Sequence, residues 1–317
     1  MVSSVVMRGL VALVALARPK QWVKNIFVFT ALIFARHAEA GGEQVSAITD
    51  ASAVADSLIA FACFCLASSA VYFFNDFRDI EEDRCHPVKR NRPLAKGDLP
   101  AWVGIAGFVV CAGGALGAAL AALGVVAAAV VGTYVALNLL YSAGLKHVVI
   151  IDVLIIAAGF VLRILAGAAA IPAMPSTWLI LCAITISLFL GFTKRRAEVV
   201  LLGDKAHEHR RVLAHYSTAF LDQMISIATA ATVVCYILYT VDERTLELVG
   251  SRLLILTVPF VLYGIFRYLY LVYHAEAGGD PTRTVFTDVP MLLTGAGWAA
   301  TCITVILFGR GIMDALA

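Results

Sequence analysis

The sequence predicts an all-α, polytopic transmembrane bundle of about nine helices, and three observations carry that expectation. Apolar types make up 61% of the 317 residues and charged types only 15%, against roughly 45–50% and 25% in soluble domains. Residues 57–75, 99–145, 164–193, 223–241 and 289–309 hold no charged side chain, and one membrane helix needs roughly 20 apolar residues. These runs are continuous, which favours helices over the alternating strands of a barrel. Mean hydropathy is +0.88. Together these values exclude a disordered chain, an ordinary soluble enzyme and a nucleic-acid partner.

Taken in order, residues 1–17 carry Arg8 and an apolar stretch and read as an interfacial helix. Spans follow near 20–36, 53–76, 101–121, 124–143, 149–170, 176–193, 218–241, 251–273 and 289–310. No internal repeat or low-complexity linker interrupts them, so residues 1–317 read as one integral membrane domain. Polar segments 77–99 and 194–215 cap one membrane face. Lys and Arg fall on that face in 19 of 24 cases. By the positive-inside rule it is cytoplasmic, with the N-terminus inside and the C-terminus outside. The expected location is the bacterial inner membrane. Six of the seven cysteines lie in apolar spans and read as small apolar fillers.

Chemistry concentrates on the same face. Asp76, Asp79 and Asp83 stand at i, i+3 and i+7, and Asn75 is four residues before Asp79. On a helix these side chains share one side. Three carboxylates and a carboxamide there repel one another unless a cation is present, and their hard oxygens suit Mg²⁺ shared with substrate phosphates. Lys89, Arg90 and Arg92 follow, placed to hold phosphate oxygens. A second group is Tyr141, Lys146 and Asp152, where Lys146 reaches a phosphate and Asp152 completes a metal shell or orients Lys146. Arg163 lies within a span and is expected to line or brace a polar cavity. A third group is Lys194, Arg195 and Glu198, a phosphate-binding pattern with an internal ion pair. His207, His209 and His215 lack metal-site spacing and are set aside. A fourth is the segment Arg18 to Asn25, in which Lys24 and Asn25 point polar atoms into the bundle end.

The Asn75–Asp83 run resembles the NDxxDxxxD motif of the UbiA-type prenyltransferase superfamily. The wider pattern resembles its decaprenyl-phosphate phosphoribosyltransferase branch, which carries RPxQWxKN (Arg18 to Asn25) and HPxKRxRP (His86 to Pro93). A YxxxLK segment with a later acid (Tyr141, Lys146, Asp152), a KRxxE-like segment ending at Glu198, and Tyr216-Ser217 complete it. The resemblance implies a UbiA-like fold and a Mg²⁺-dependent, membrane-embedded phosphoribosyltransferase. Its substrates are phosphoribosyl pyrophosphate (PRPP) and a polyprenyl phosphate, and its product leads towards lipid-linked arabinose donors for the cell wall. Most superfamily members carry a second acidic motif where this chain has Lys194, Arg195 and Arg196. Bases there suit a donor with an extra phosphate. Asp76, Asp79, Asp83 and Lys146 are the expected catalytic residues, and Asn75, Asp76, Asp79 and Asp83 the metal ligands. Lys24, Asn25, Lys89, Arg90, Arg92, Tyr141, Asp152, Arg163, Lys194, Arg195 and Glu198 are expected to bind substrate. The alternatives are an aromatic polyprenyltransferase using a prenyl diphosphate and, further off, a transporter. Oligomeric state is left open, a homo-oligomer included.

Overall fold

The computed structural model describes residues 2–34, 36–38, 44–85, 89–171, 175–202, 211–274, 284–285 and 287–316. His86, Pro87 and Val88 of the extended motif, and His207 and His209, lie outside the described residues. Contacts divide the chain into two units. The first comprises Met1–Ile33, His37–Leu145 and Leu162–Met174, and the second Phe34–Arg36, Lys146–Val161 and Pro175–Ala317. The described residues are predominantly helical. Two three-residue strands, β1 (Arg36–Ala38) and β2 (Gln44–Ser46), pair in a short ribbon.

The first unit begins with α1 (Val2–Ala17), a 3-10 helix over Pro19–Phe29 and α2 (Thr30–Phe34). Then come α3 (Ala51–Arg78), α4 (Ile80–Cys85), α5 (Pro93–Lys96), α6 (Trp102–Leu123) and α7 (Val125–Ala143). The second half of α8 (Ile151–Ala170) belongs to this unit and its first half to the other. The second unit holds α9 (Thr177–Leu202), α10 (Thr218–Val241), α11 (Glu243–Val249), α12 (Val258–His274) and α13 (Val289–Leu316). Asp50 caps α3 by accepting from the Ser52 amide at 2.8 Å, and Ser217 caps α10 by accepting from Phe220.

Eight helices are long and apolar enough to cross a membrane. The ninth expected crossing, 20–36, is the 3-10 run followed by α2. At ~2.0 Å per residue for a 3-10 helix and ~1.5 Å for an α-helix, these sixteen residues extend about 30 Å, the thickness of a hydrocarbon core. The run descends antiparallel to α3. Arg18 bonds Asp76, Trp22 Nε1 donates to Ser69 Oγ at 3.0 Å, Asn25 Nδ2 donates to Ser68 Oγ at 3.3 Å, and Phe29 stacks on Phe61. Trp22 and Asn25 carry polar atoms into the unit, and α3 supplies their partners. That pairing holds a segment that an apolar α-helix pattern did not anticipate.

Close backbone approach organises the first unit, as expected where helices pack without a hydrophobic drive. A Cβ on Gly107 of α6 would overlap the Phe73 ring of α3, and one on Gly167 of α8 would overlap the Val28 carbonyl of the 3-10 run. Around these contacts lie Val28, Phe64, Ala67, Val71, Ala115 and Tyr134, all buried. In the second unit Val153, Phe189, Phe192, Leu221, Ile225 and Tyr268 form the main buried cluster.

Gly167→Ala is expected to force the 3-10 run off α8, because the atom it meets is backbone and cannot rotate away. Overpacking of this kind costs about 1–3 kcal/mol, read as a lowered melting temperature of the purified protein in detergent. An unchanged melting temperature would contradict the close approach.

Candidate active site

In the first unit the site is built where α3 ends. Asp76 sits in its last turns, and the helix stops at Arg78. Asp79 is the C-cap, its amide donating to the Asn75 carbonyl at 2.9 Å, and the Asp83 amide of α4 donates to the Asp79 carbonyl at 2.8 Å. The expected single helical face is therefore two helices joined through Asp79. The i→i−4 bonds persist across the join, so Asp76 and Asp83 still converge. Both are 2% exposed, whereas Asp79 is half-buried.

What converges on the acids is a pair of guanidiniums. Arg92 Nη1 donates to Asp83 Oδ2 at 2.6 Å and to Asp76 Oδ1 at 3.1 Å. Arg18 Nη2 donates to the same Asp76 oxygen at 2.5 Å, with its guanidinium 4.6 Å from the centre of the Tyr72 ring. Arg18 adopts a left-handed backbone (φ 52°) at the break between α1 and the 3-10 run, which costs about 1–2 kcal/mol for a residue with a Cβ. Burial raises the Asp83 carboxyl above the usual carboxylate range, against the opposing pull of Arg92. The Ser142 hydroxyl of α7 donates to Asn75 Oδ1. Lys89 and Arg90 are exposed on a 3-10 turn just before Arg92, and Tyr141 is half-buried at the end of α7.

Asp76 and Asp83 bring two buried carboxylates together at a point that already attracts positive charge, and such hard oxygens suit a divalent cation. Among the described residues no group of three or more His, Cys, Asp or Glu is placed to hold a metal ion by itself, so a Mg²⁺ here would draw the rest of its shell from waters and substrate phosphates.

Asn25 and Arg163 meet elsewhere in the first unit. Arg163 Nε donates to Asn25 Oδ1 at 2.8 Å, and Nη2 donates to the Tyr134 hydroxyl at 3.1 Å. The guanidinium lies 4.8 Å from the centre of the Tyr134 ring and 5.7 Å from that of Phe64. Asn25 also donates to Cys65 Sγ. This buried network braces the 3-10 run against α3, α7 and α8, while Lys24 beside it is half-buried.

The second unit has its own polar centre. Arg195, 2% exposed, donates through Nε to Asp152 Oδ2 at 2.7 Å and through Nη1 to Glu198 Oε2 at 2.6 Å. The Tyr216 hydroxyl donates to Asp152 Oδ1 at 2.8 Å and accepts from the Ile150 amide at 2.7 Å. Burial first, with Asp152 adding to it, pushes the Tyr216 hydroxyl up to about 12, so it remains a donor. Ile150 is β-branched with φ 70°, a strained backbone that the Tyr216 bond helps to hold. Both oxygens of Asp152 are thus engaged, and Arg195 is locked in place. Lys194 and Lys146 are half-buried, on α9 and on the 3-10 turn Leu145–His147. Arg196 goes elsewhere, bonding Asp222 at 2.6 Å.

The residue-by-residue expectation overlooked Arg18 as a member of the acid site and Tyr216 as the partner of Asp152. Arg18 opens the RPxQWxKN segment, which was its only signal. Tyr216 appeared in a motif without a role.

Comparison with known proteins adds to this geometry. Residues 40–308 match the model of the UbiA prenyltransferase family. The chain is similar to the decaprenyl-phosphate phosphoribosyltransferase of Corynebacterium glutamicum, 36% identical over 92% of this chain and 85% of that protein. It is similar to the proteins of that name from Mycolicibacterium smegmatis (32% identical; 93% and 92% covered) and Mycobacterium tuberculosis (32%; 92% and 93%). Among solved structures it resembles in fold a UbiA homologue from Archaeoglobus fulgidus bound to GPP and Mg²⁺. The TM-score is 0.69 at 16% identity, covering 93% of this chain and 99% of that one.

Asp152→Asn takes from the buried Arg195 its fully buried counter-charge and leaves it the partly exposed Glu198. Asp152→Asn is expected to cost about 3–5 kcal/mol, while Tyr216→Phe, which loses one hydrogen bond to a charged group, costs about 1.5–3 kcal/mol. Thermal melts in detergent would rank the two. Equal and negligible effects would contradict the centre as a stabilised unit.

Proposed function

We propose that this chain, which belongs to the UbiA prenyltransferase family, transfers the 5-phosphoribosyl group of PRPP to a decaprenyl-type polyprenyl phosphate and releases pyrophosphate. The observation that carries the reading is similarity over about nine-tenths of the chain to proteins named for that transfer. The two polar centres support it. One gathers buried acids and guanidiniums, and the other presents bases where a second acidic motif is usual in the family.

In this reading an oxygen of the lipid phosphate attacks the anomeric carbon of the ribose. The bond from that carbon to the pyrophosphate oxygen breaks, and the leaving pyrophosphate keeps the electron pair. A Mg²⁺ held by Asn75, Asp76, Asp79 and Asp83 would supply neutralisation of the leaving group's charge. The chain's own residues position and stabilise charge. Lys89, Arg90 and Arg92 offer N–H donors to the phosphates of PRPP, with Lys24 and Tyr141 as further donors of the first unit. In the second, Lys146 and Lys194 offer ammonium donors, and Asp152 and Glu198 fix the plane of Arg195. The acceptor phosphate is already an anion near neutral pH, so no side chain need act as general base.

PRPP is water-soluble, and the bias of Lys and Arg towards the motif-bearing segments supports a site on the cytoplasmic face of the inner membrane. The phosphoribosyl lipid is a precursor suited to lipid-linked arabinose donors.

Purified protein given labelled PRPP and polyprenyl phosphate should yield a labelled lipid, while a prenyl diphosphate with 4-hydroxybenzoate should yield none; the reverse pattern would favour the aromatic prenyltransferase. Asp76→Ala and Asp83→Ala should each lower kcat/KM by about 10²-fold or more. Chelation of divalent ions should abolish turnover and Mg²⁺ restore it. Undiminished rates in both variants would remove the acids from the site.

A further inference from the structure

A polar cleft lies in the first unit beside the α3–α4 junction, and neither Asp76 nor Asp83 lines it. It has a volume of about 480 Å³. Its charged lining is Arg78, Glu81 and Arg84, spaced by three residues, and its apolar lining includes Phe77, Ile80, Leu94 and Leu99. Arg78 is exposed and donates through Nη2 to the Ala143 carbonyl at 3.2 Å. Among the described residues no carboxylate pairs with it. Arg84 donates to the Ala95 carbonyl at 3.2 Å and to Glu81 at 2.6 Å, but the Glu81 side chain is 83% exposed, and such a pair is weak. The cleft therefore carries net positive charge, with guanidinium N–H groups left to give.

Its depth says what would use them. Arg78 ends one membrane-spanning helix and Trp102 begins another, while Pro100 and Ala101 line the cleft just before Trp102. Trp102 is 68% exposed, as an interfacial anchor is. Below it Ile105, Val109 and Val110 of α6 are exposed apolar side chains, a surface for acyl chains. Cationic groups at headgroup level above an apolar face match one chemistry, a phosphate carried on a hydrocarbon tail. We propose that this cleft binds the phosphate of an anionic diacyl lipid of the surrounding bilayer, with Arg78 and Arg84 as its donors. The site is separate from the acid centre and independent of the transfer reaction proposed above.

Native mass spectrometry of the full chain in detergent tests it, with phosphatidylglycerol and phosphatidylcholine of matched chains as probes. The wild type should retain phosphatidylglycerol in preference. At ~1 kcal/mol per basic residue near a membrane surface, Arg78→Gln and Arg84→Gln should each reduce that preference about fivefold. Glu81→Gln removes the only carboxylate among the described residues that line the cleft and should increase the preference, which keeps the test decisive if an arginine variant folds poorly. Millimolar inorganic phosphate should leave the bound lipid in place. An unchanged preference in all three variants overturns the site, and displacement of the lipid by inorganic phosphate overturns the assignment to a lipid.

Discussion

The acid site depends on one interaction, the Arg92 guanidinium that reaches Asp76 and Asp83 through a single nitrogen. Two carboxylates buried to 2% exposure cannot both stay ionised near each other without a cation, since desolvation and mutual repulsion act in the same direction. Arg92 and Arg18 meet that demand from within the chain. The bond to Arg18 also ties the start of the 3-10 run to the end of α3, so the first crossing and the acid site share one anchor. A guanidinium can give way where a hydrocarbon core could not. The two guanidiniums thus balance the buried acids, whose oxygens would suit a divalent cation.

The second unit solves the same problem differently. Asp152 and Arg195 are both fully buried, and each has further partners: Tyr216 for the acid and Glu198 for the base. Nothing in that set resembles a loose ligand. Its consequence is positional, holding the first turn of α8 and the Lys194-bearing stretch of α9 at fixed spacing. The Arg163 network does likewise for the 3-10 run, using two aromatic rings, an amide and a hydroxyl.

Much of this was legible in the residues. Charge-free runs located six of the eight long helices, and nearly charge-free runs the other two, Ile151–Ala170 with Asp152 and Arg163 and Arg252–His274 with Arg267, because a bilayer leaves a chain few other ways to satisfy its backbone. The i, i+3, i+7 register brought Asp76 and Asp83 together correctly, since the helical hydrogen bonds continue through Asp79. Less legible were features set by tertiary partners. No local pattern announces a 3-10 crossing, which depends on Ser68, Ser69 and Arg163, distant in sequence. The pairing of Arg18 with Asp76 spans 58 residues. Arg195 read as a phosphate donor from its neighbours in sequence, but Asp152, 43 residues earlier, claims it.

We propose that the Asp76–Asp83 pair, bridged by Arg92, is where a divalent cation binds. Electron paramagnetic resonance of Mn²⁺, a spectroscopic substitute for Mg²⁺, addresses it directly in the purified protein. Mn²⁺ should bind the wild type more tightly when PRPP is present, and Asp83→Asn should lose that binding while keeping its fold. Mn²⁺ binding that is the same in Asp83→Asn, with or without PRPP, would contradict it.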